Sequence, residues 1–392
     1  MHIAWIGKKS PPCGNVTYSR EVTNALLDRG YRVSFLHFAQ EEEIEFSGND
    51  PMPRRTIVEC QDVPLPFIYK SQIYTIPSLR SSKVLAQSLQ DLKPDLVHAS
   101  LTLSPLDFVL PEICEELEVP LVATFHPPFS HKHRNLSSGT QQFMYQLYAP
   151  FLANYDAVII FSEAQRELLN RLGVPLERLI VIPNGVDVEK YSPGGPDNKA
   201  KIQAEFNASH IFVYQGRIAI EKNVESLLKA WRMATIPESC KLVLMGDGTL
   251  LNPLMTAYSP EQNIIWLGNI LDEQRRIDIL RGADVFILPS FVEGLSLSLL
   301  EAMACGVACL ATDVGADGEV LSEGAGIVLN PQRVRSELQT LLPLFIHQPE
   351  LAVLMGKKAR QRVLERYSLK ANIDQLEQFY KQVLGTPKLS LV

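Results

Sequence analysis

No stretch of this 392-residue chain holds the roughly 18–20 consecutive apolar residues that a membrane-crossing helix needs. The opening Met1-His2-Ile3-Ala4-Trp5-Ile6-Gly7 also lacks the charged start and long apolar segment of a signal peptide, so a cytoplasmic protein is expected. Cysteine is sparse. The six thiols at 13, 60, 114, 240, 305 and 309 form no CxxC pair, which argues against a disulfide frame or a zinc site and for reduced thiols. Positive charge is in deficit, with 37 Lys+Arg against 44 Asp+Glu and a net charge of −7, which argues against nucleic acid as a partner. What is present is a globular composition, 46% hydrophobic and 21% charged, on a chain long enough for two domains of ordinary size.

Short apolar runs alternate with amphipathic stretches along the chain. His2–Ile6, Arg32–Phe38, Asp95–Ala99, Pro120–Phe125, Ala157–Phe161 and Leu179–Ile182 read as buried strands, with helical spacing in Thr17–Asp28, Leu106–Glu118, Gln142–Ala153 and Glu163–Leu172. The pattern restarts with strands at Ile211–Gln215, Lys241–Gly246, Ile264–Leu267, Ala283–Leu288, Val307–Ala311 and Gly326–Leu329. Helices are expected over Val224–Met233, Glu273–Arg281 and Leu297–Ala304. Runs apolar on both faces, separated by helices, mean parallel sheets covered on both sides. The expected class is therefore α/β, with two doubly wound, Rossmann-like domains facing a cleft. Their boundaries fall at 1–183, a hinge at 184–198 rich in Pro and Gly, 199–368, and a C-terminal helix over 369–392 that packs back toward the first domain.

The chemistry concentrates in the second series. A strand ends near Pro289, a loop carries Glu293 and Gly294, and a helix starts near Ser296 and carries Glu301. Free N–H groups at a helix start favour an anion. Five residues of helix span ~7.5 Å, about the distance from a diphosphate to a nucleotide ribose. Taken alone, the two glutamates read equally well as solvated helix charges. Gly216-Arg217-Ile218-Ala219-Ile220-Glu221-Lys222-Asn223 directly follows another strand, which puts two cations at a sheet's carboxyl edge. No Asp-x-Asp motif offers to hold a divalent metal on a diphosphate, so the phosphates are expected to depend on protein cations, with no metal and no cofactor. His126, ahead of Pro127-Pro128, would point out of a sheet edge; alone, a histidine there is more often structural. Cys305-Gly306-Val307-Ala308-Cys309 reads as two buried thiols.

In order along the chain, Pro12-Cys13-Gly14-Asn15-Val16, Thr124-Phe125-His126, Pro183-Asn184-Gly185-Val186-Asp187, Gly216-Arg217 with Glu221-Lys222-Asn223, Gly246-Asp247-Gly248, and Glu293 spaced from Glu301 resemble the family 4 retaining glycosyltransferases of GT-B fold. The resemblance spans nearly the whole chain. It implies that Arg217 and Lys222 bind a diphosphate and that Glu301 holds the ribose. It further implies that Glu293 and the backbone of Gly294, Leu295 and Ser296 hold the donor sugar, that His126 lines the reaction centre, and that Gly14 opens the backbone to the phosphates. It implies front-face transfer, in which the departing phosphate helps to deprotonate the acceptor, rather than a covalent adduct on Glu293. Cys13 departs from the pattern, since many relatives carry a second glycine there.

Two windows, Val63–Gln90 and Val119–Tyr155, hold no Asp or Glu, although residues 1–190 carry 17 Lys+Arg against 22 Asp+Glu. The first contains Phe67, Ile68, Tyr69, Lys70, Tyr74, Arg80 and Lys83; the second contains Phe129, His131, Lys132, His133, Arg134, Phe143, Tyr145 and Tyr148. Such windows suit peripheral contact with anionic lipid, or else are core whose acids lie elsewhere. Met1–Pro11 and His98–Asp107 resemble the cyanobacterial digalactosyldiacylglycerol synthase group. That implies UDP-galactose as donor and monogalactosyldiacylglycerol as acceptor, at the cytoplasmic face of a thylakoid or plasma membrane. The alternatives are a soluble acceptor such as a sugar phosphate or an inositol, a UDP-sugar epimerase, or a nucleotide-sugar-binding regulator without turnover.

Overall fold

A computed structural model describes residues 1–10, 13–39, 60–71, 74–128, 136–258 and 263–385, with backbone alone for 60 and 136–141. By contact the chain divides into two units. The first comprises Met1–Pro127, Gln142–Ile182 and Asn372–Val392, and the second is chiefly Pro183–Ala371.

The first unit holds a sheet of β1 (His2–Gly7), β2 (Arg32–Phe38), β3 (Cys60–Leu65), β6 (Leu96–Ser100), β7 (Leu121–Thr124), β8 (Ala157–Ile160) and β9 (Leu179–Val181); β4 (Phe67–Lys70) and β5 (Thr75–Pro77) pair as a separate antiparallel hairpin. The sheet order is β3-β2-β1-β6-β7-β8-β9 and every neighbouring pair is parallel. β1 and β6 are buried along their whole length, as strands covered by helices on both faces must be. The direction of winding reverses between β1 and β6, where loops part in opposite directions and leave room for a ligand. The C-terminal helix Leu369–Gly385 supplies Ile373, Leu376, Phe379 and Tyr380 to this unit's core, and Asp374 pairs with Arg29 at 2.6 Å.

The second unit repeats the plan with β10 (His210–Gln215), β11 (Cys240–Met245), β12 (Ile264–Gly268), β13 (Val285–Leu288), β14 (Ala308–Thr312) and β15 (Ile327–Leu329), in the order β12-β11-β10-β13-β14-β15. All of these pairs are parallel as well, and winding reverses between β10 and β13. The backbone of Val186 bonds to both Tyr367 and Leu369, so the two chain segments that lead into the first unit are tied together within the second. A helix begins at Pro196, inside the stretch expected to be linker. Proline suits a first helical position, where its missing N–H has no partner to lose.

Cys13, Cys114, Cys240, Cys305 and Cys309 are free thiols, the last four buried. Among the described residues no helix is long and apolar enough to cross a membrane.

Candidate functional site

The loops after β10 and β13 flank the reversal in the second sheet, and they carry the predicted donor residues. A short 3-10 turn, Ile220–Lys222, ends at Asn223, whose side-chain amide donates to the carbonyl of Pro289 at 3.0 Å. Phe291 N–H donates to the carbonyl of Glu221 at 2.8 Å. These two bonds join the loops and place Lys222 Nζ 2.7 Å from Glu293 Oε1, which also accepts from Ser290 Oγ at 2.7 Å. Both side chains of the ion pair are largely shielded, at 17% and 10% exposure. Arg217 is exposed and pairs with Glu221 at 2.6 Å, and its carbonyl accepts from the buried Tyr214 hydroxyl. The cations thus stand ready beside carboxylates that an incoming anion can displace.

Glu301 is the fifth residue of the helix Leu297–Ala304, which Ser296 caps through its hydroxyl. Its Oε2 accepts from Gln215 Nε2 at 2.6 Å, at the very end of β10. Burial pushes its carboxyl up to about 7; the bonds from Gln215 and Tyr191 and the charge of Arg276 oppose this without cancelling it. Near neutral pH it therefore changes between a proton donor and a two-oxygen acceptor.

One expectation needs correction. Ser296 N–H donates to Asp317 Oδ1 at 3.0 Å, so it is not free to hold a donor sugar. Among the described residues no bond from the N–H of Gly294 or Leu295 is found, which leaves these two as the open donors of that stretch. Asp317 itself was missed in the sequence. It is fully buried, its Oδ2 has no partner, and burial together with the Glu293 charge holds its carboxyl well above the usual range. The signal available was Gly315-Ala316-Asp317-Gly318 following a strand. Gly315 has φ of +58°, and a Cβ there would stand 2.3 Å from the carbonyl oxygens of Glu293 and Gly294. Only glycine lets this turn press so closely on the Glu293 loop. At Gly246, with φ of +147°, an added Cβ would likewise collide with the Gly216 carbonyl.

The first unit holds Gly14 and His126 at the carboxyl edge of its own sheet. Gly14 opens the helix Gly14–Asp28 and is exposed; among the described residues nothing lies within 4 Å of where its Cβ would stand. Of the motif around it, Pro12 lies outside the described residues. His126 follows β7 and shares a 2.8 Å hydrogen bond between Nε2 and Ser100 Oγ, while Ser100 donates to Asn15 Oδ1 at 2.8 Å. Tyr18 packs edge-on against the His126 ring at 4.8 Å. Burial, helped by Lys8, pushes the imidazole down to about 3, so it is neutral across the physiological range. Behind it a second neutral histidine, His98, bridges Thr124 Oγ1 at 2.7 Å and the Tyr380 hydroxyl of the C-terminal helix. Sequence reasoning did not single out this buried chain, because its members are far apart in the sequence.

Two family descriptions match the chain: "Glycosyltransferase Family 4" over residues 13–190 and "Glycosyl transferases group 1" over residues 197–362. The chain is a family 4 glycosyltransferase of GT-B fold. As such, it transfers a sugar from a nucleotide-sugar. A UDP-Gal:alpha-D-GlcNAc-diphosphoundecaprenol alpha-1,3-galactosyltransferase of Escherichia coli is 27% identical over 319 residues, 79% of this chain and 80% of that protein. The sulfoquinovosyl transferase SQD2 of Arabidopsis thaliana is 25% identical over 362 residues, 87% of this chain and 68% of that protein. The crystal structure of HepE from Anabaena in complex with UDP-glucose aligns with a TM-score of 0.77 at 17% identity, covering 97% of this chain and all of that one, a likeness of fold.

Proposed function

We propose that the chain transfers galactose from UDP-galactose to monogalactosyldiacylglycerol, with retention of configuration and without a metal. The observation that carries the donor half is the Lys222–Glu293 pair at the β10–β13 reversal, with Glu301 following in the adjoining helix. The relatives support the same reading, since one is named for UDP-galactose and another for sulfoquinovosyl transfer.

In this reading Arg217 and Lys222 take the diphosphate, and Glu301 accepts from the ribose hydroxyls. Glu293, released from Lys222 by the phosphates, accepts from a donor-sugar hydroxyl. The open N–H groups of Gly294 and Leu295 bind the sugar or its phosphate. One cation close to a phosphate in a half-buried site contributes on the order of 4 kcal/mol. That is worth roughly a thousandfold in rate if it is felt mainly as charge builds on the leaving group. The acceptor oxygen bonds to C1 on the face from which the phosphate departs. The C1–O bond breaks, and the acceptor proton passes to a phosphate oxygen, giving UDP. Neutral His126 offers an uncharged hydrogen-bonding group at the carboxyl edge of the first sheet. Gly14 leaves the start of the first helix open.

The test is a mass-spectrometric product assay with UDP-galactose and UDP-glucose in turn, offering monogalactosyldiacylglycerol in mixed micelles beside a pool of soluble sugars, with and without EDTA. A galactolipid heavier by one hexose, formed from UDP-galactose at an unchanged rate in EDTA, is expected. A soluble product alone would overturn the lipid acceptor and leave the donor half standing. EDTA inhibition reversed by added metal would overturn the cation account.

A further inference from the structure

The hairpin of β4 and β5 turns apolar side chains to solvent. Ile68 is 68% exposed, Tyr69 48%, Tyr74 45%, Ile76 41%, and Leu79, just beyond the hairpin, 100%. The pairing explains how. Tyr69 lies opposite Ile76 and Lys70 opposite Thr75, with an irregularity between Phe67 and Tyr69. Lys70 and Thr75 face inward: Thr75 is buried, and Lys70 Nζ donates to Ser10 Oγ at 2.8 Å and to the Phe38 carbonyl at 3.0 Å. The irregularity breaks the strict alternation of faces, so that Ile68 and Tyr69 are both exposed although they are neighbours. The Tyr69 and Tyr74 rings lie 5.6 Å apart. An apolar outer face of this kind on a small hairpin needs something to cover it.

Charge says what covers it. No Asp or Glu occurs between Val63 and Gln90, and Arg80 and Lys83, next along the chain, are exposed and form no ion pair among the described residues. The second acid-free window behaves otherwise. Tyr145 and Tyr148 are buried, donating to the Pro127 carbonyl and to Asp107, so they are core and not a contact surface. Phe143 is exposed at 62%, and Phe129, His131, Lys132, His133 and Arg134 lie outside the described residues.

We propose that the outer face of the β4–β5 hairpin, with Leu79, Arg80 and Lys83, docks on a bilayer containing anionic lipid. The two tyrosines sit at the headgroup level, Ile68, Ile76 and Leu79 enter the acyl boundary, and the two cations meet the anionic headgroups. This deepens the lipid-acceptor reading and rests on it, since docking would bring the enzyme to an acceptor that does not leave the membrane.

The experiment is co-sedimentation of the whole chain with vesicles of phosphatidylcholine alone or with added phosphatidylglycerol. It is run at low and high salt for wild type, Ile68→Ser/Leu79→Ser and Arg80→Gln/Lys83→Gln. Wild type is expected to bind the mixed vesicles, and salt or the loss of both cations should weaken it. Losing two apolar anchors should lower binding roughly tenfold or more. An unchanged thermal melt, expected because these side chains are exposed, shows that the variants are folded. A serine variant that binds like wild type overturns the proposal. So does wild type that stays unbound, or a dimer in sedimentation that the serine variant abolishes, which would give the face to a second copy. Transfer to micellar galactolipid is measured in parallel. Wild type that transfers to micellar galactolipid without docking removes this surface alone, and wild type that docks without forming any galactolipid product removes the acceptor reading alone.

Discussion

In the proposed reading the Lys222–Glu293 pair is a binding device, and in the fold it is a structural one. Glu293 is 8% exposed, and removing its partner leaves a carboxylate buried beside Asp317. Breaking such a pair costs about 3 kcal/mol or more, whereas replacing both members by neutral groups of similar shape is far milder. Lys222→Ala is therefore expected to lower the melting temperature as well as turnover. Lys222→Met/Glu293→Gln should recover most of the melting temperature while turnover stays down by orders of magnitude. Thermal melts and steady-state rates on the three proteins check this, and a double variant with near-normal turnover would take both residues out of the chemistry. Glu301 carries a pH prediction. Its carboxyl sits near 7 in the ligand-free protein, and only the ionised form offers two acceptors to vicinal hydroxyls. UDP should bind more tightly as pH rises from about 6 to 8, and Glu301→Gln should flatten the profile; calorimetric titration across that range measures it, and a flat wild-type profile contradicts the assignment. The linkage to stability has the opposite sign. The folded carboxyl holds its proton above its ordinary value of 4.5, so its contribution to stability falls as pH rises from there to about 7.

At the scale of elements, the strands of both sheets were the most legible part. Arg32–Phe38 and the helices Val224–Met233 and Leu297–Ala304 have the bounds that their apolar spacing predicts. Buried parallel strands are short uninterrupted apolar runs, and these runs stand out between polar helix faces. The edges were not legible. β3 reads Cys-Gln-Asp-Val-Pro-Leu, with a proline that an edge strand tolerates and a pattern that announces nothing. β4, β5 and the helix Ser81–Leu92 were read only as a basic, aromatic window, because absence of acid says nothing about secondary structure. The approach of Lys222 to Glu293 was legible because both lie within a few residues of strand ends. Asp317 was not, because its role depends on a turn after β14 folding back onto the loop after β13 through Ala316 N–H and the Gly294 carbonyl, 2.7 Å apart. Tyr380 and His98 meet across 282 positions, a contact no local pattern contains.

For the whole molecule, the sequence carried the repeat of two parallel-sheet units because the apolar pattern runs twice. The same order of winding in both sheets puts each unit's functional loops at the carboxyl edge beside its own reversal, between β1 and β6 and between β10 and β13. Gly14 and His126 lie at the first edge, and Arg217, Lys222, Glu293 and Glu301 lie at the second. Surface was less legible than core in the acid-free windows, since charge and aromatic content did not separate the exposed hairpin from the buried Tyr145 and Tyr148. The most direct measurement is a crystal structure of the chain with UDP. The account predicts the ribose hydroxyls on the Glu301 carboxylate and the diphosphate between Arg217 and Lys222, with Lys222 drawn off Glu293. A nucleotide seated elsewhere, or a Lys222–Glu293 pair left closed beneath a bound diphosphate, would contradict it.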